Sequence, residues 1–217
     1  MARNPPLARV LPFHVVDEAW RLALVPALVG AVTLPFLPPV GAAFVALALG
    51  VLWFHRDPDR APPDAEGVVV APADGTVSVV REEGNRLRVG VFMNVTDVHV
   101  NRAPIAGEIR EVRHRPGANR PAFSKESDRN EQVAIDFGEY ELLVIAGWFA
   151  RRIHPAVEAG DAVDRGERVG HVSFGSRADV ILPADVGKGD LLVREGDAVR
   201  AGETIIAERA DDTAERK

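Results

Sequence analysis

The 217-residue chain contains no cysteine, which excludes both disulfide bonds and thiolate metal sites. Its formal net charge of −6 gives no support to a nucleic-acid-binding role. No two histidines have the close spacing of a helical zinc site, and no glycine-rich phosphate loop occurs. With 47% hydrophobic and 27% charged residues, the composition is that of a folded protein, for which we expect neither a metal nor a nucleic-acid partner.

Polar side chains are nearly absent from residues 22–54, where the hydroxyl of Thr33 is the one exception. Adjacent prolines divide this segment into two apolar runs of about 15 residues, each below the roughly 20 that cross a bilayer squarely. The two runs are Leu22–Leu37 and Val40–Phe54.

Arginines flank the apolar runs on both sides, which by the positive-inside rule favours a hairpin with both ends in the cytoplasm. We therefore expect residues 1–57 to form an α-helical hairpin that anchors the protein at the cytoplasmic face of the cell membrane. A re-entrant hairpin and two short tilted spans both fit the sequence. A buried core hairpin is the alternative, although helices of a soluble core usually carry a polar face.

Beyond a proline-rich linker that ends at Pro63, the pattern changes to short alternating apolar stretches with glycine at their ends. This pattern predicts a mainly β domain over residues 64–210, with few and short helices. The clearest predicted strands are Val68–Val70, Val77–Val80, Leu87–Phe92, Gln132–Phe137 and Glu141–Ile145.

Two segments of this domain share the pattern Gly-Asp-Ala-Val-x-x-Gly-Glu, namely Glu158–Gly170 and Arg194–Ile206. The pattern resembles the half-barrel unit of biotinyl and lipoyl domains, as does Ala71–Val77. That resemblance implies a pseudo-duplicated barrel-sandwich fold. The residues between the repeats, 169–180, contain no lysine, so the attachment residue of such carrier domains is missing.

Between the repeats lies the dipeptide Gly175-Ser176. Glycine lacks a Cβ atom, so its backbone can adopt strained torsions and its carbonyl is open to attack. Attack by the serine hydroxyl would convert the peptide bond to an ester, and elimination followed by hydrolysis would leave a pyruvoyl group. Gly-Ser is common in loops, so the dipeptide needs support from other motifs.

Five segments together resemble the short-form phosphatidylserine decarboxylases and occur in that family's order. Trp53–Arg60 resembles the family's F-F-R-D-P-x-R element, and Ala71–Gly75 resembles its P-x-D-G element. Asp97–Pro104 is similar to D-V-H-V-N-R-x-P, and Glu126–Asn130 is similar to E-N-E-R-N with two differences. Phe174–Arg177 resembles the family's processing site.

The resemblance implies a chain that cuts itself between Gly175 and Ser176 and converts Ser176 into a covalent pyruvoyl cofactor. It makes His99 the candidate base and Asp74 the catalytic aspartate that orients it. One departure is Arg102, which stands where the longer bacterial form has a second histidine. The resemblance implies no metal.

The implied activity is decarboxylation of the serine headgroup of phosphatidylserine, or of the archaeal ether-lipid equivalent. The implied partners are the phospholipid and the membrane, and the two self-cleaved chains are expected to stay associated. A homodimer is the commonest default for a soluble domain. The alternatives are a non-catalytic, membrane-tethered biotinyl-like adaptor and a pyruvoyl enzyme for a soluble amino acid.

Overall fold

A computed structural model describes residues 14–118, 120, 128–147, 152–172 and 175–209. The chain divides into two compact units, Met1–Asp59 and Arg60–Lys217. The first unit contains β1 (His14–Val15), α1 (Asp17–Thr33), α2 (Pro38–Phe54) and β2 (Arg56–Asp57).

The second unit consists of fourteen described strands and one 3₁₀ turn at Lys188–Asp190. The strands are β3 (Val68–Val70), β4 (Gly75–Glu83), β5 (Arg86–Met93), β6 (Val100–Arg102), β7 (Gly107–Glu108), β8 (Glu111–Arg115), β9 (Gln132–Asp136), β10 (Glu141–Ile145), β11 (Ile153–Pro155), β12 (Ala162–Val163), β13 (Arg168–Val172), β14 (Ser176–Ile181), β15 (Ala198–Val199) and β16 (Ile205–Glu208).

The two helices of the first unit pack closely because glycines lie where their backbones meet. A Cβ atom on Gly41 would lie 2.3 Å from the Cα atom of Leu34, and one on Gly30 would lie 2.8 Å from Val45 Cγ2. The second helix begins at Pro38 itself, since proline is pre-organised for the first helical turn. In the part of the chain that the structure describes, neither helix combines the length and hydropathy required to span a bilayer.

Seven strands of the second unit form one antiparallel sheet in the order β15-β4-β5-β14-β10-β9-β8. Alternate residues of its central strands are fully buried in one large apolar core, as the period-two pattern predicts. All five predicted strands are present, and the mainly β class is confirmed. The barrel-sandwich expectation is not confirmed, because no sheet among the described strands closes into a barrel.

The two Gly-Asp segments form the same turn. Gly160 and Gly196 have positive φ values of 93° and 98°, which glycine adopts without a Cβ clash. The aspartate that follows each glycine accepts a hydrogen bond from a main-chain N–H three residues earlier. The N–H of Glu158 donates at 2.8 Å and that of Arg194 donates at 2.9 Å.

The duplication extends to a second pair of segments that sequence analysis missed. Ala71–Val77 reads A-P-A-D-G-T-V, and Ala103–Ile109 reads A-P-I-A-G-E-I. β15 pairs with β4 as β12 pairs with β7, and each half donates a main-chain hydrogen bond to the proline carbonyl of the other. These bonds run from Val70 N to Pro104 O at 3.0 Å and from Arg102 N to Pro72 O at 2.9 Å.

The tightest backbone approach in this duplicated region is at Gly75. Its φ is +141°, and a Cβ atom there would lie 2.0 Å from the carbonyl oxygen of Phe92. We predict that Gly75→Ala lowers the free energy of unfolding by about 3 to 5 kcal/mol, because it adds an overlap to a strained torsion. Gly160→Ala is the matched control, since its Cβ would meet none of the described atoms within 4 Å. If urea unfolding shows that both variants lose the same free energy of unfolding, the close approach of Gly75 to Phe92 would be contradicted.

Candidate active site

Ser176 is the first residue of β14 and is fully buried. Its strand lies between β5 and β10, and it pairs with Met93 of β5. The hydroxyl Oγ lies 3.9 Å from the sulfur of Met93, a weak contact for a buried donor. Ala178 and Val180, which share its face by alternation, belong to the main apolar core. The candidate nucleophile is therefore buried, and the described residues that share its face of the strand are apolar.

Gly175 precedes the strand with a φ of +62°, in the left-handed region that favours glycine. Among the residues that the structure describes, no atom lies within 4 Å of the position that a Cβ would take. None of the described residues therefore crowds that side of the Gly175 Cα atom. The two residues before Gly175, including Phe174 of the proposed processing motif, lie outside the described residues.

His99 is 97% buried and lies beside the strand that leads to this peptide. Its main-chain carbonyl accepts a hydrogen bond from Val172 N at 3.1 Å. Its ring Nδ1 lies 3.0 Å from the carbonyl oxygen of Asp97. A carbonyl can only accept, so Nδ1 of the neutral ring carries the proton and the lone pair is on Nε2. This is the tautomer that a general base needs.

Asp74 is fixed by an ion pair and a main-chain hydrogen bond. Its Oδ2 accepts from Arg60 Nη2 at 2.7 Å, and its Oδ1 accepts from the N–H of Ala201 at 2.8 Å. The structure gives Asp74 no hydrogen bond to His99, both of which it describes, so the orienting role of Asp74 stays a prediction. Both carboxylate oxygens of Asp74 are thus already engaged, one by a guanidinium and the other by a main-chain N–H.

A cavity of about 390 Å³ lies next to Asp74, and Asp97, whose carbonyl binds His99, also lines it. Its other lining residues are Gly75, Thr76, Asn94, Ala198, Val199, Arg200 and Thr204. The cavity joins two of the segments that the sequence motifs singled out. It is large enough for a small polar group.

The duplicated half of the unit has no acid at the position that corresponds to Asp74. The position of Asp74 in A-P-A-D-G-T-V corresponds to Ala106 in A-P-I-A-G-E-I. The second segment pairs with its repeat in the same register without an acid at that point. The turn therefore forms in one half without an acid, whereas in the other half the carboxylate of Asp74 binds Arg60 and the N–H of Ala201.

Asn101 is a neighbour of Ser176 that sequence analysis did not single out. It is fully buried on β6, two residues after His99, and its Nδ2 lies 3.8 Å from the sulfur of Met93. That sulfur is the atom that the Ser176 hydroxyl also contacts. No sequence signal assigns this contact, because it joins side chains from three separate strands.

The opposite face of β14 carries a buried ionic cluster. Arg177 binds Asp179 through two hydrogen bonds, from Nε at 2.7 Å and from Nη2 at 2.8 Å. Arg88 Nε donates to the same carboxylate at 2.6 Å, and Asp128 accepts from Arg177 Nη2 at 2.6 Å. Asp179 is completely buried, and both arginines are at least 96% buried. Through the bond from Arg88 to Asp179, the cluster links β14, which begins at Ser176, to β5.

The charges of this cluster depend on one another. Burial alone would lower the pKa of the Arg177 guanidinium, but the charge and hydrogen bonds of Asp179 outweigh it and raise that pKa. Burial alone would raise the pKa of the Asp128 carboxyl, but bonds and charge from arginines outweigh it and lower that pKa. The stabilisation by ionised Asp128 is therefore present above the usual aspartate pKa and is lost as the pH falls through the lowered value.

The predicted E-N-E-R-N-like segment is described only in part, since residues 126 and 127 lie outside the described residues. Its Asp128 belongs to the ionic cluster. Its Asn130 donates from Nδ2 to the carbonyls of Arg120 at 2.7 Å and Ala146 at 2.8 Å. The described part of this motif therefore has structural contacts.

Arg102 lies on β6 but does not share the side-chain environment of Asn101. Its Nη1 donates to the carbonyl of Gly166 at 2.9 Å, within the duplicated turn region. Arg60 is the ion-pair partner of Asp74, whereas sequence analysis named it only as a flanking charge and as the last residue of the motif Trp53–Arg60. The motif Trp53–Arg60 includes this arginine. The sequence does not show that Arg60 pairs with Asp74, because the proline-rich linker separates the two residues along the chain.

Comparison with known proteins identifies similar chains along most of the sequence. The model of the phosphatidylserine decarboxylase family matches residues 47–207. A protein of Halobacterium salinarum, provisionally named archaetidylserine decarboxylase proenzyme, is 59% identical over 87% of this chain and 95% of its own length.

Two actinobacterial proteins named phosphatidylserine decarboxylase proenzyme are also similar. The protein of Thermobifida fusca is 50% identical over 75% of each chain. That of Streptomyces griseus is 46% identical over 77% of this chain and 78% of its own. The residues matched by the family include all five motifs on which the sequence resemblance was based.

From the ionic cluster we predict how the loss of Asp179 changes the free energy of unfolding. Asp179→Ala would leave two buried guanidinium groups without their shared carboxylate, so we expect the free energy of unfolding to fall by about 3 to 5 kcal/mol. Urea unfolding of a Ser176→Ala chain measures this without cleavage. Lys188→Ala, which removes an exposed ion pair to Glu82, should cause no measurable change. A loss below about 1 kcal/mol for Asp179→Ala would contradict the cluster's role.

Proposed function

The chain belongs to the phosphatidylserine decarboxylase family, and from this we propose that it decarboxylates the serine headgroup of a membrane phospholipid with a pyruvoyl group made from Ser176. The product is the corresponding ethanolamine lipid. The relatives include proteins named for phosphatidylserine and for archaetidylserine. Both lipids present the same phosphoserine headgroup, which is the part that reacts.

The observation that carries the proposal is the setting of the Gly175–Ser176 peptide. The glycine takes a positive φ, no described residue would contact a Cβ atom on it, and the serine that follows is fully buried at the start of a central strand. An ordinary Gly-Ser turn would leave the hydroxyl in water. The family match spans this peptide, and relatives are named as proenzymes, which fits a chain that is processed.

The chain's own residues supply the processing reaction. The Ser176 hydroxyl attacks the Gly175 carbonyl carbon while His99 Nε2 takes up the hydroxyl proton. The Asp97 carbonyl holds the ring in the tautomer that can do so. Asp74 favours the imidazolium through its negative charge, and Arg60 and the main chain of Ala201 keep that carboxylate in place.

The surroundings of Ser176 fit a pyruvoyl group. Met93, Ala178 and Val180 are apolar and fully buried, so they would keep water from a ketone at this position. When present, the group supplies an electron sink for the electrons left behind as CO2 departs. His99 would return a proton to the substrate carbon, since it is a buried titratable side chain beside the strand that leads to the cleavage site.

The two chains produced by cleavage would stay together. β14 begins the small chain and is paired along its length with β5 and β10, which belong to the large chain. The Arg177–Asp179–Arg88 cluster adds ionic bonds across the same boundary. A homodimer remains a further proposal.

The helical first unit would hold the enzyme at its lipid substrate. Many large apolar side chains of its helices and of the turn between them are exposed, among them Val25 at 66%, Val32 at 67% and, in the turn, Phe36 at 80%. The guanidinium of Arg56 lies 4.2 Å from the ring of Trp53, an arrangement suited to the membrane interface. We propose attachment at the cytoplasmic face of the cell membrane. The non-catalytic adaptor alternative is not supported, because the relatives are named decarboxylases.

The first test is processing. We expect purified protein to consist of residues 1–175 and residues 176–217, the latter with a blocked N-terminus. Ser176→Ala should stay one chain, because no hydroxyl remains to attack Gly175. His99→Ala should slow cleavage severely and Asp74→Asn less, as followed by intact mass. Cleavage of His99→Ala at the wild-type rate would show that another base acts.

The second test separates anchoring from chemistry. Deleting residues 1–57 keeps Arg60 and every residue of the main core, so the truncated chain should fold and cleave itself. The full chain should stay on phosphatidylserine vesicles in about 1 M salt, because salt screens charge and not apolar burial. The truncated chain should be released and should favour detergent-dispersed lipid. Equal vesicle binding by both forms would contradict the anchor.

A further inference from the structure

Asn101 has a buried carboxamide that does not make all of the hydrogen bonds it can make. It has no exposed surface, and within the described chain its Nδ2 contacts only the sulfur of Met93, at 3.8 Å. Its carbonyl oxygen Oδ1 has no hydrogen-bond partner among the described residues. An unsatisfied buried acceptor costs about 1 to 3 kcal/mol, so its presence calls for an explanation.

A second buried asparagine shows what a purely structural role looks like. Asn130 is 99% buried and uses both ends of its carboxamide. Its Nδ2 donates to the carbonyls of Arg120 and Ala146, and its Oδ1 accepts from the N–H of Arg120 at 2.9 Å. Among the described residues, Asn101 has no comparable set of hydrogen bonds, although its side chain is buried at least as deeply as that of Asn130.

The duplication shows that the strand of Asn101 does not need a polar residue there. The strand β3 is the counterpart of β6, since Val70 and Arg102 donate equivalent hydrogen bonds to the two proline carbonyls. In this correspondence Asn101 matches Val69, which is fully buried in the apolar core. Valine therefore satisfies the packing of this position, and the carboxamide has another use.

We propose that Asn101 Oδ1 accepts a hydrogen bond from the nitrogen of residue 176 when the processing reaction releases it. This inference rests on the proposed self-cleavage. In the first step the bond from Gly175 carbonyl carbon to Ser176 nitrogen breaks, and a bond from that carbon to Ser176 Oγ forms. The hydroxyl proton ends on the nitrogen. The amide becomes an ester with an amine, and the step is an isomerisation without a co-reactant.

The new amine has one more N–H donor than the peptide nitrogen, and the described side chains that share its face of β14 are apolar. The Ser176 hydroxyl and the Asn101 amide both contact Met93 Sδ, so the carboxamide and residue 176 flank the same atom. Because Asn101 Oδ1 is available as an acceptor, it stabilises the ester form of the chain relative to the peptide form. Asn101 is thus a positioning residue for cleavage, in addition to the base His99.

The test follows cleavage of newly made chains in a cell-free pulse and chase. Asn101→Val removes the acceptor oxygen. Valine is chosen because the corresponding residue of β3 is Val69, so a side chain of this size packs at the equivalent position. We expect cleavage to slow about tenfold to a hundredfold, the effect of losing one hydrogen bond to an amine that can be charged. Asn101→Asp keeps an acceptor oxygen and should cleave within about threefold of wild type.

A hydroxylamine arm identifies the affected step. Neutral hydroxylamine opens an ester and leaves residue 176 as an N-terminal serine, which intact mass detects. Asn101→Val should yield less of this product than wild type, in proportion to its slower cleavage. More product than wild type would mean that the ester accumulates and that Asn101 acts later, which overturns the inference.

The remaining outcomes are also decisive. Cleavage of Asn101→Val at the wild-type rate overturns the role of Asn101 and leaves the proposed function intact. An uncleaved wild-type chain would instead remove the proposed function itself. Each variant is compared with Ser176→Ala in thermal unfolding, so that slow cleavage by a misfolded chain is recognised. If Asn101→Val is misfolded, Asn101→Asp with strongly slowed cleavage and unchanged stability overturns the inference.

Discussion

The burial of β14 between β5 and β10 is the constraint on which the rest of the site depends. It places Ser176 at the boundary between a left-handed glycine and a paired strand, with apolar residues on one face and ions on the other. The same pairing would hold the small chain after cleavage, when its covalent link is gone. Burial of the Arg177–Asp179 cluster costs desolvation, which is offset because arginines engage both oxygens of the Asp179 carboxylate.

The duplicated halves show how a site can arise from a symmetric framework. In each half a short strand pairs with the Gly-Asp segment in the same register. At two corresponding positions the halves differ in chemistry, with Asp74 opposite Ala106 and Asn101 opposite Val69. The apolar member of each pair shows what the fold requires. The polar member of each pair is what we assign to the reaction.

The sequence predicted the mainly β class and the positions of five strands, because alternation and glycine are local signals. The motif order likewise pointed to Ser176, His99 and Asp74. Contacts between distant segments were not predictable. Asp74 binds Arg60 across a proline-rich linker, and Asn101 reaches Ser176 through a methionine on a third strand. The second half of the duplication was missed because Ala71–Val77 and Ala103–Ile109 share only a few small residues.

The central claim is that residue 176 reacts with the amino group of a lipid headgroup rather than with a free amino acid. Release of labelled CO2 from carboxyl-labelled phosphatidylserine in mixed micelles, compared with labelled free serine at equal concentration, tests this most directly. The account predicts rapid release from the lipid, none from the lipid with Ser176→Ala, and little from free serine. Equal rates on the lipid and on free serine would contradict it and would identify a pyruvoyl enzyme for a soluble amino acid.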